Sequence, residues 1–486
     1  DRDLGNAEPY QSLQEGKNMY HDFESHTITR RSFLKGAGAV GAAGLLAACG
    51  SKPAASSTAS SAASQAPAAS ADESLALSDG PVSLSISWWG GDSRHAAYQS
   101  ALEAFQAEHS NITVEPTFAA WSGWEEKMAA AFIAGNAQDV CQVNWNWLYN
   151  YSADGSKFVD LNTTSKFIDL TQWDSAAMDA CYVANSQQCV PVSMTGRIFY
   201  WNMTTFNKAG ITEVPKSLDD LMAAGKAFQE KLGDDYYPMH LGAYDRMILM
   251  VFYLESKYGK DWADPVTSTL NYTEEEIAEG LAFIKSLVDN HVMMNLKTYY
   301  SANSDTATHQ SNEWITGKMA GIFEWDSSAV KFQDALDEEN KPGFTVGEEI
   351  KFGDNNGGFS KVSMGLAITK TCKNVAEAAT LINFLLNEEK GASIMGSECG
   401  IPASKAGLKF AQDAGAVKSL VAEANAKVMA FTTNKLDPLF ENNDLKASGT
   451  GIYQEVFDNI DYGDQTPEEA VETLLDGMES VGYTIG

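Results

Sequence analysis

The sequence predicts an α/β protein whose folded part is built from doubly wound sheets in two lobes. Three observations lead there. Val82-Ser-Leu84-Ser-Ile86-Ser-Trp88 alternates apolar and polar residues strictly, the period of a half-buried strand. From there to residue 143 strand and helix patterns alternate as β-α-β-α-β, the order of a parallel sheet with crossover helices. Residues 81–486 then leave 406 residues with ordinary globular composition, enough for two sizeable cores.

The elements follow in order. The 82–88 strand ends in the loop Trp89-Gly90-Gly91-Asp92-Ser93, and a helix over 94–109 carries Tyr98, Leu102 and Phe105 at helical spacing. Residues 112–118 read as a second strand. Ser122-Gly-Trp-Glu125 fits a capping box opening a helix with Trp124, Met128 and Phe132 on one stripe, stopped at Gly135-Asn136. Val140–Val143 is a short buried strand ending in Asn144-Trp145-Asn146-Trp147. Further on, 197–201, 319–325 and 362–369 read as strands. Thr273 and Glu276 cap a helix bearing Ile277, Leu281, Ile284 and Val288, another helix carries Val375, Ala379, Ile382 and Leu386, and the chain from Ala403 is mostly helical.

The segment before the fold is an address. Arg30-Arg31 precedes Ser32-Phe-Leu-Lys35 and a Gly/Ala run, 36–48, too short to span about 30 Å of hydrocarbon. It reads as an export signal resembling the twin-arginine type. Leu46-Ala-Ala-Cys49 resembles a bacterial lipobox, which implies lipidation of Cys49 and stable anchoring by its acyl chains. Residues 1–48 are thus expected to be a leader, with 1–18 an extension upstream of Met19. Residues 49–80, rich in Ser, Ala and Pro, cannot form a core and read as a tether reaching on the order of 30 Å.

Charge narrows the function. There are 65 acidic against 34 basic residues, a net −31, the opposite of a nucleic-acid binder. Of six cysteines, Cys49 is assigned to lipid; Cys181 and Cys189 allow a local disulfide, although free buried thiols are the preferred reading for Cys141, Cys181, Cys189, Cys372 and Cys399. No Cys/His spacing suggests a metal, and no cofactor is expected. Neither HExxH nor a complete nucleophile elbow is present, so an enzyme has no motif behind it.

The order of WWGGDSRH (88–95), AGNAQDVCQVNWNWLY (134–149), PVSMTGRIFYWNMTTFNKAG (191–210), FIKSLVDN (283–290), WITGKMAGIFEWDSSA (314–329) and GLAITKTCKNVAEAATLINFLLN (365–387) resembles the extracellular solute-binding proteins of ABC importers, the family of maltose-binding protein. The resemblance covers essentially all of 81–486. It implies a type II periplasmic-binding-protein-like fold, with lobes of 81–191 plus 327–388 and 192–326 plus 389–486 joined by hinge crossings. It further implies a monomer that clamps a sugar between the lobes and hands it to a membrane permease. A glycan-active enzyme or a glycan-capturing adhesin is the competing reading.

Ligands of doubly wound sheets sit beyond the carboxyl ends of the strands. Those ends carry Trp88, Trp89, Trp145 and Trp147, with Trp121 and Trp124 in a loop between them. Indole faces cover pyranose C–H faces, while Asp92 and Asn144 would bind hydroxyls; core packing is the plain alternative. If 144–147 is extended, its Trp and Asn side chains point to opposite sides. The 81–486 segment has only three arginines, Arg94, Arg197 and Arg246, each at a strand end or loop, Arg246 within Tyr244-Asp-Arg, where Tyr244 is a further candidate ligand contact. Arg94 and Arg197 are candidate ligand forks; two in the cleft would favour an acidic sugar such as a uronide, and surface ion pairing is the alternative. By the resemblance, Trp325-Asp326 ends a strand with a sugar-stacking aromatic, and Gly357-Gly358 belong to the glycine loop before the return strand.

Overall fold

The computed structural model describes residues 74–303 and 306–485. The leader, the lipobox Cys49 and most of the tether lie outside the described residues.

Among the described residues there are nine strands: β1 Val82–Trp89, β2 Ile112–Ala119, β3 Val140–Val143, β4 Tyr182–Val183, β5 Ser186–Gln187, β6 Val190–Asn202, β7 Gly321–Trp325, β8 Phe344–Val346 and β9 Ser360–Ile368. Seven form one mixed sheet in the order β2-β1-β3-β9-β6-β7, with β8 on β6; β4 and β5 make a separate hairpin. The expected β-α-β-α-β unit is there: β1 runs parallel to β2 and β3, with helices Asp92–Glu108 and Trp124–Ala134 as crossovers. Beyond it the sheet turns antiparallel at β9, β6, β7 and β8. Single parallel bridges, Tyr237 to Met319 and Met239 to Met293, continue the far end.

β6 is the central member. Residues 190–196 pair with β9, whereas residues 197–202 pair with β7 and β8. One strand therefore passes from one group of partners to another at Gly196–Arg197. Register shifts around Ser193 bend it just before that point, and Pro191 sits where the ladder is already irregular. Gly196 is required there, because a Cβ would lie 2.5 Å from Val428 Cγ1 on helix Ser419–Phe431, which packs across the junction.

Helices Asp92–Glu108, Val375–Asn387, Glu389–Met395 and Lys405–Asp413 pack together over the β1 end of the sheet. Helices Ala243–Tyr258, Glu274–Asp289, Ile452–Tyr462 and Pro467–Val481 pack together over the β7 end. The Thr273–Glu276 capping box is formed, and Thr466 with Glu469 forms a second one.

Two local expectations are corrected. The capping box at Ser122–Glu125 does not form: Gly123, with φ 71°, is the N-cap, and Glu125 is left for tertiary contacts. The segment at 144–147 is not extended; helix Asn146–Tyr151 begins inside it, so strand alternation does not sort its side chains. The five described cysteines are buried and unpaired, with no Cys181–Cys189 disulfide, and burial pushes the Cys141 thiol up to about 12. Among the described residues no helix is long and apolar enough to cross a membrane.

Candidate functional site

Alternation on β1 separates its two tryptophans. Trp88 points into the core, stacked against Tyr98 at 4.5 Å and Phe118 at 4.8 Å, and its indole donates to His95 Nδ1. Trp89 points the other way and meets Trp121 at 5.1 Å and Trp147 at 5.5 Å. Trp121 stands 41% exposed at the edge of this trio. Trp147 is buried, and its Nε1–H donates to Glu125 Oε1 at 2.9 Å.

A network of buried charges adjoins it. Glu441 is the centre: its carboxylate accepts from Lys361 Nζ, 2.7 Å to Oε1 and 2.8 Å to Oε2, and from the Tyr244 hydroxyl at 2.7 Å. Its backbone carbonyl accepts from Asn146 Nδ2 at 2.8 Å. Asn144 lies beside the pair, 3.4 Å from Lys361 Nζ. Lys446 Nζ is 3.3 Å from Glu125 Oε2 and 5.6 Å from the Trp121 ring centre. Arg197, at the point where β6 changes partners, pairs with Asp245 at 2.7 Å and Glu324 at 3.0 Å and donates to the Phe323 carbonyl. Its guanidinium lies 4.2 Å from the Trp325 ring centre, and Lys361 lies 4.8 Å from the same ring. Trp325 is thus a half-buried aromatic face with cations on it, an arrangement stabilised by the ring quadrupole.

The electrostatics follow from burial and proximity. Burial alone would raise the Glu441 carboxyl, but Lys361 and Lys446, with the hydrogen bonds from Lys361 and Tyr244, outweigh it and bring it to about 2. Burial lowers the Lys361 ammonium, and Glu441 offsets only part of that. Asp245 is pushed up to about 6 by burial against the pull of Arg197. Because the Glu441 pKa is depressed on folding, its contribution is present above pH 4.5 and is lost as pH falls from there towards 2. Integrated, it is on the order of 3 kcal/mol. Melting temperature followed from pH 5 to pH 3 should therefore fall more steeply for the native protein than for Glu441→Gln. Parallel curves would count against this network as an acid-labile element.

The structure brings together part of the expected site. Trp89, Trp121, Trp147, Asn144, Arg197, Tyr244 and Trp325 surround the network. The rest lie elsewhere. Trp88 is a core residue, as above. Trp124 is buried under Lys127, and Trp145 is buried edge-on to Tyr149. Asp92 is exposed in the first turn of its helix. Arg94 ties the Trp89 carbonyl to the Glu398 carbonyl. Asp326 is buried at the strand junction, its carboxylate taken by Thr195, Asn425 and the Ser327 amide. Gly357 and Gly358 pack on helix Ala243–Tyr258: a Cβ on Gly357 would lie 2.3 Å from the Phe252 carbonyl, and the Gly358 amide donates to Glu255. Sequence reasoning missed Lys361, Glu441, Lys446, Glu125, Asp245 and Glu324. Lys361 alone left a signal, as a charge set directly before the uncharged, largely apolar run Val362 to Ile368.

Among the described residues no cluster of His, Cys, Asp and Glu could hold a metal ion. A twin-arginine translocation signal matches residues 27–47. A periplasmic oligogalacturonide binding protein from Yersinia enterocolitica, solved with saturated digalacturonic acid, is 33% identical and superposes with a TM-score of 0.77, covering 82% of this chain and 98% of that one. A periplasmic solute binding protein of Pectobacterium atrosepticum gives 31%, 0.77 and the same coverage. The GacH receptor of Streptomyces glaucescens, solved with acarbose, shares the fold at 18% identity and a TM-score of 0.69, over 83% of this chain and 100% of that one. These are binding proteins of the type II periplasmic fold. With residues 91–392 matching its family, this chain belongs to the bacterial extracellular solute-binding proteins.

Proposed function

We propose that the chain is the lipid-anchored binding component of an ABC importer and that it captures an acidic oligosaccharide, of uronic acid units, for delivery to a membrane permease. The observation that carries the acidic reading is the convergence of three cations, Arg197, Lys361 and Lys446, on the aromatic faces of Trp121, Trp325 and Tyr244. Aromatic faces suit sugar rings, and cationic donors suit uronate carboxylates. The oligogalacturonide-binding neighbour supports the same class. A second reading, a neutral sugar, is favoured by one observation: the cations are each matched by carboxylates, Glu125, Asp245, Glu324 and Glu441, which outnumber them. Those carboxylates are engaged with cations, which suits binding and not the two-carboxylate chemistry of a glycan-active enzyme.

Capture would proceed by hinge closure. The crossings would be β6 near residues 191–197, the turn after Trp325, and the segment that follows helix Lys405–Asp413. The first lobe comprises 81–191 plus 327–388, and we extend it by 389–413, since those helices pack on Asp92–Glu108 and Val375–Asn387. The second comprises 192–326 and the remaining C-terminal residues. Anchoring would rest on Cys49, with the protein acting as a monomer on the outer face of the cell membrane, without a cofactor.

Titrating the purified protein with digalacturonate and with maltose, followed by tryptophan emission, tests the reading. A saturable response to digalacturonate is expected, with maltose at least tenfold weaker, about 1.4 kcal/mol or more. Saturation by neutral sugars only would leave the second reading in place. No response to either would overturn the saccharide assignment.

A further inference from the structure

The Glu125–Lys446 pair differs from the other ion pairs of the network. It joins the first turn of helix Trp124–Ala134, a crossover of the β1 end, to the last residue of helix Asn443–Lys446, which packs with the helices of the β7 end. Both side chains are nearly buried, at 6% and 10% exposure. At 3.3 Å it is the loosest of the network's ion pairs, against 2.7–3.0 Å for Arg197 and Lys361. Glu125 also has a second partner, the Trp147 indole, and so does not lose all compensation if Lys446 leaves. Arg197 and Lys361 are held by two or more acceptors each, whereas Glu125 is the one carboxylate paired with Lys446 among the described residues. The Lys446 charge nevertheless acts on both Glu441 and Lys361, so it stands within reach of the same space.

Charge balance then poses a problem. With three cations and four carboxylates, an incoming uronate enters a site already one charge negative. A cation that moves onto the ligand's carboxylate leaves the net charge unchanged but supplies a direct pair that offsets the local like-charge repulsion. We propose that Lys446 is such a transferable cation: Glu125 holds it as a stand-in for the ligand's carboxylate, and a bound acidic sugar takes it over. The exchange would select acidic over neutral ligands, since a neutral sugar cannot replace the glutamate. It would also bind the two ends of the sheet to each other through the ligand instead of through the protein's own ion pair. This inference rests on the acidic-saccharide reading.

The test measures affinity for digalacturonate and for maltose by calorimetry in the native protein, Glu125→Gln, Lys446→Gln and Lys446→Arg. Gln at 125 keeps an acceptor for the Trp147 indole, and melting curves check that each variant is folded. The expected result is that the acidic-to-neutral affinity ratio rises about tenfold in Glu125→Gln and falls about tenfold in Lys446→Gln. Lys446→Arg should restore most of it. If the native protein binds digalacturonate but neither variant moves the ratio, the transferable cation is overturned while the acidic reading stands. If Glu125→Gln and Lys446→Gln lower the ratio alike, the pair is structural and the proposal is likewise overturned. A native protein that binds maltose and not digalacturonate overturns the acidic reading, and the exchange with it.

Discussion

Arg197→Ala should reduce digalacturonate affinity by at least about 100-fold, or roughly 2.7 kcal/mol. It should also destabilise the fold by about 3–5 kcal/mol, the range for breaking one partner of a buried ion pair. The side chain is 2% exposed and lies where β6 changes partners. Truncation leaves Asp245, Glu324 and the Phe323 carbonyl without their shared donor. Asp245, already raised to about 6, would lose the attraction that opposes burial and rise further, so part of the loss should be recovered at low pH. Arg197→Lys separates charge from geometry. One ammonium cannot reach two carboxylates and a carbonyl while also lying over the Trp325 ring, so the lysine variant should keep most stability and lose most affinity. Calorimetric titration and urea unfolding measure the two quantities. Native affinity in Arg197→Ala would confine this residue to a structural role.

How much of this was legible in the sequence depends on the range of the interaction. β1 was readable because its alternation is local, and the Thr273 helix because its capping box closes over three residues. The same motif misled at Ser122–Glu125. Gly123 takes the left-handed cap position, and Glu125 is drawn 22 residues away to Trp147 and on to Lys446. The scarcity of arginine directed attention to three residues, but their side chains take three different positions: a cation in the candidate site, a strap between carbonyls and a buried structural pair. Nothing local distinguishes them. Trp88 and Trp89 show the limit most simply. They are adjacent and chemically identical, and only the face of the sheet decides which one packs in the core. The Lys361–Glu441 pair joins residues 80 apart, so it exists only once β9 and the C-terminal segment are folded against each other.

The third arginine should matter most for stability. Arg246 is fully buried on helix Ala243–Tyr258 and satisfies three groups from three segments. Its Nε donates to the Leu241 carbonyl at 3.0 Å, and its terminal nitrogens reach the Met294 carbonyl at 2.7 Å and Asp461 Oδ2 at 2.8 Å. Asp461 in turn accepts from the Leu296 amide at 2.7 Å and is itself 2% exposed. Helix Ile452–Tyr462, helix Ala243–Tyr258 and the turn before helix Leu296–Asn303 are therefore fastened at one point. Arg246→Ala strands a buried carboxylate and two carbonyls, at an expected cost on the order of 5 kcal/mol. That is a large share of the 5–15 kcal/mol typical of a folded domain. The variant should express poorly or melt about 10 °C lower, at roughly 2 °C per kcal/mol for a chain of this size. Asp461→Asn, which keeps a carbonyl acceptor for the guanidinium, should lose less. Since Arg246 touches none of the site's cations, the folded fraction of either variant should bind far closer to native affinity than Arg197→Ala does. A melting temperature within about two degrees of native would show that the fastening is dispensable. A loss of binding equal to that of Arg197→Ala, in a protein of undiminished stability, would instead place Arg246 with the ligand.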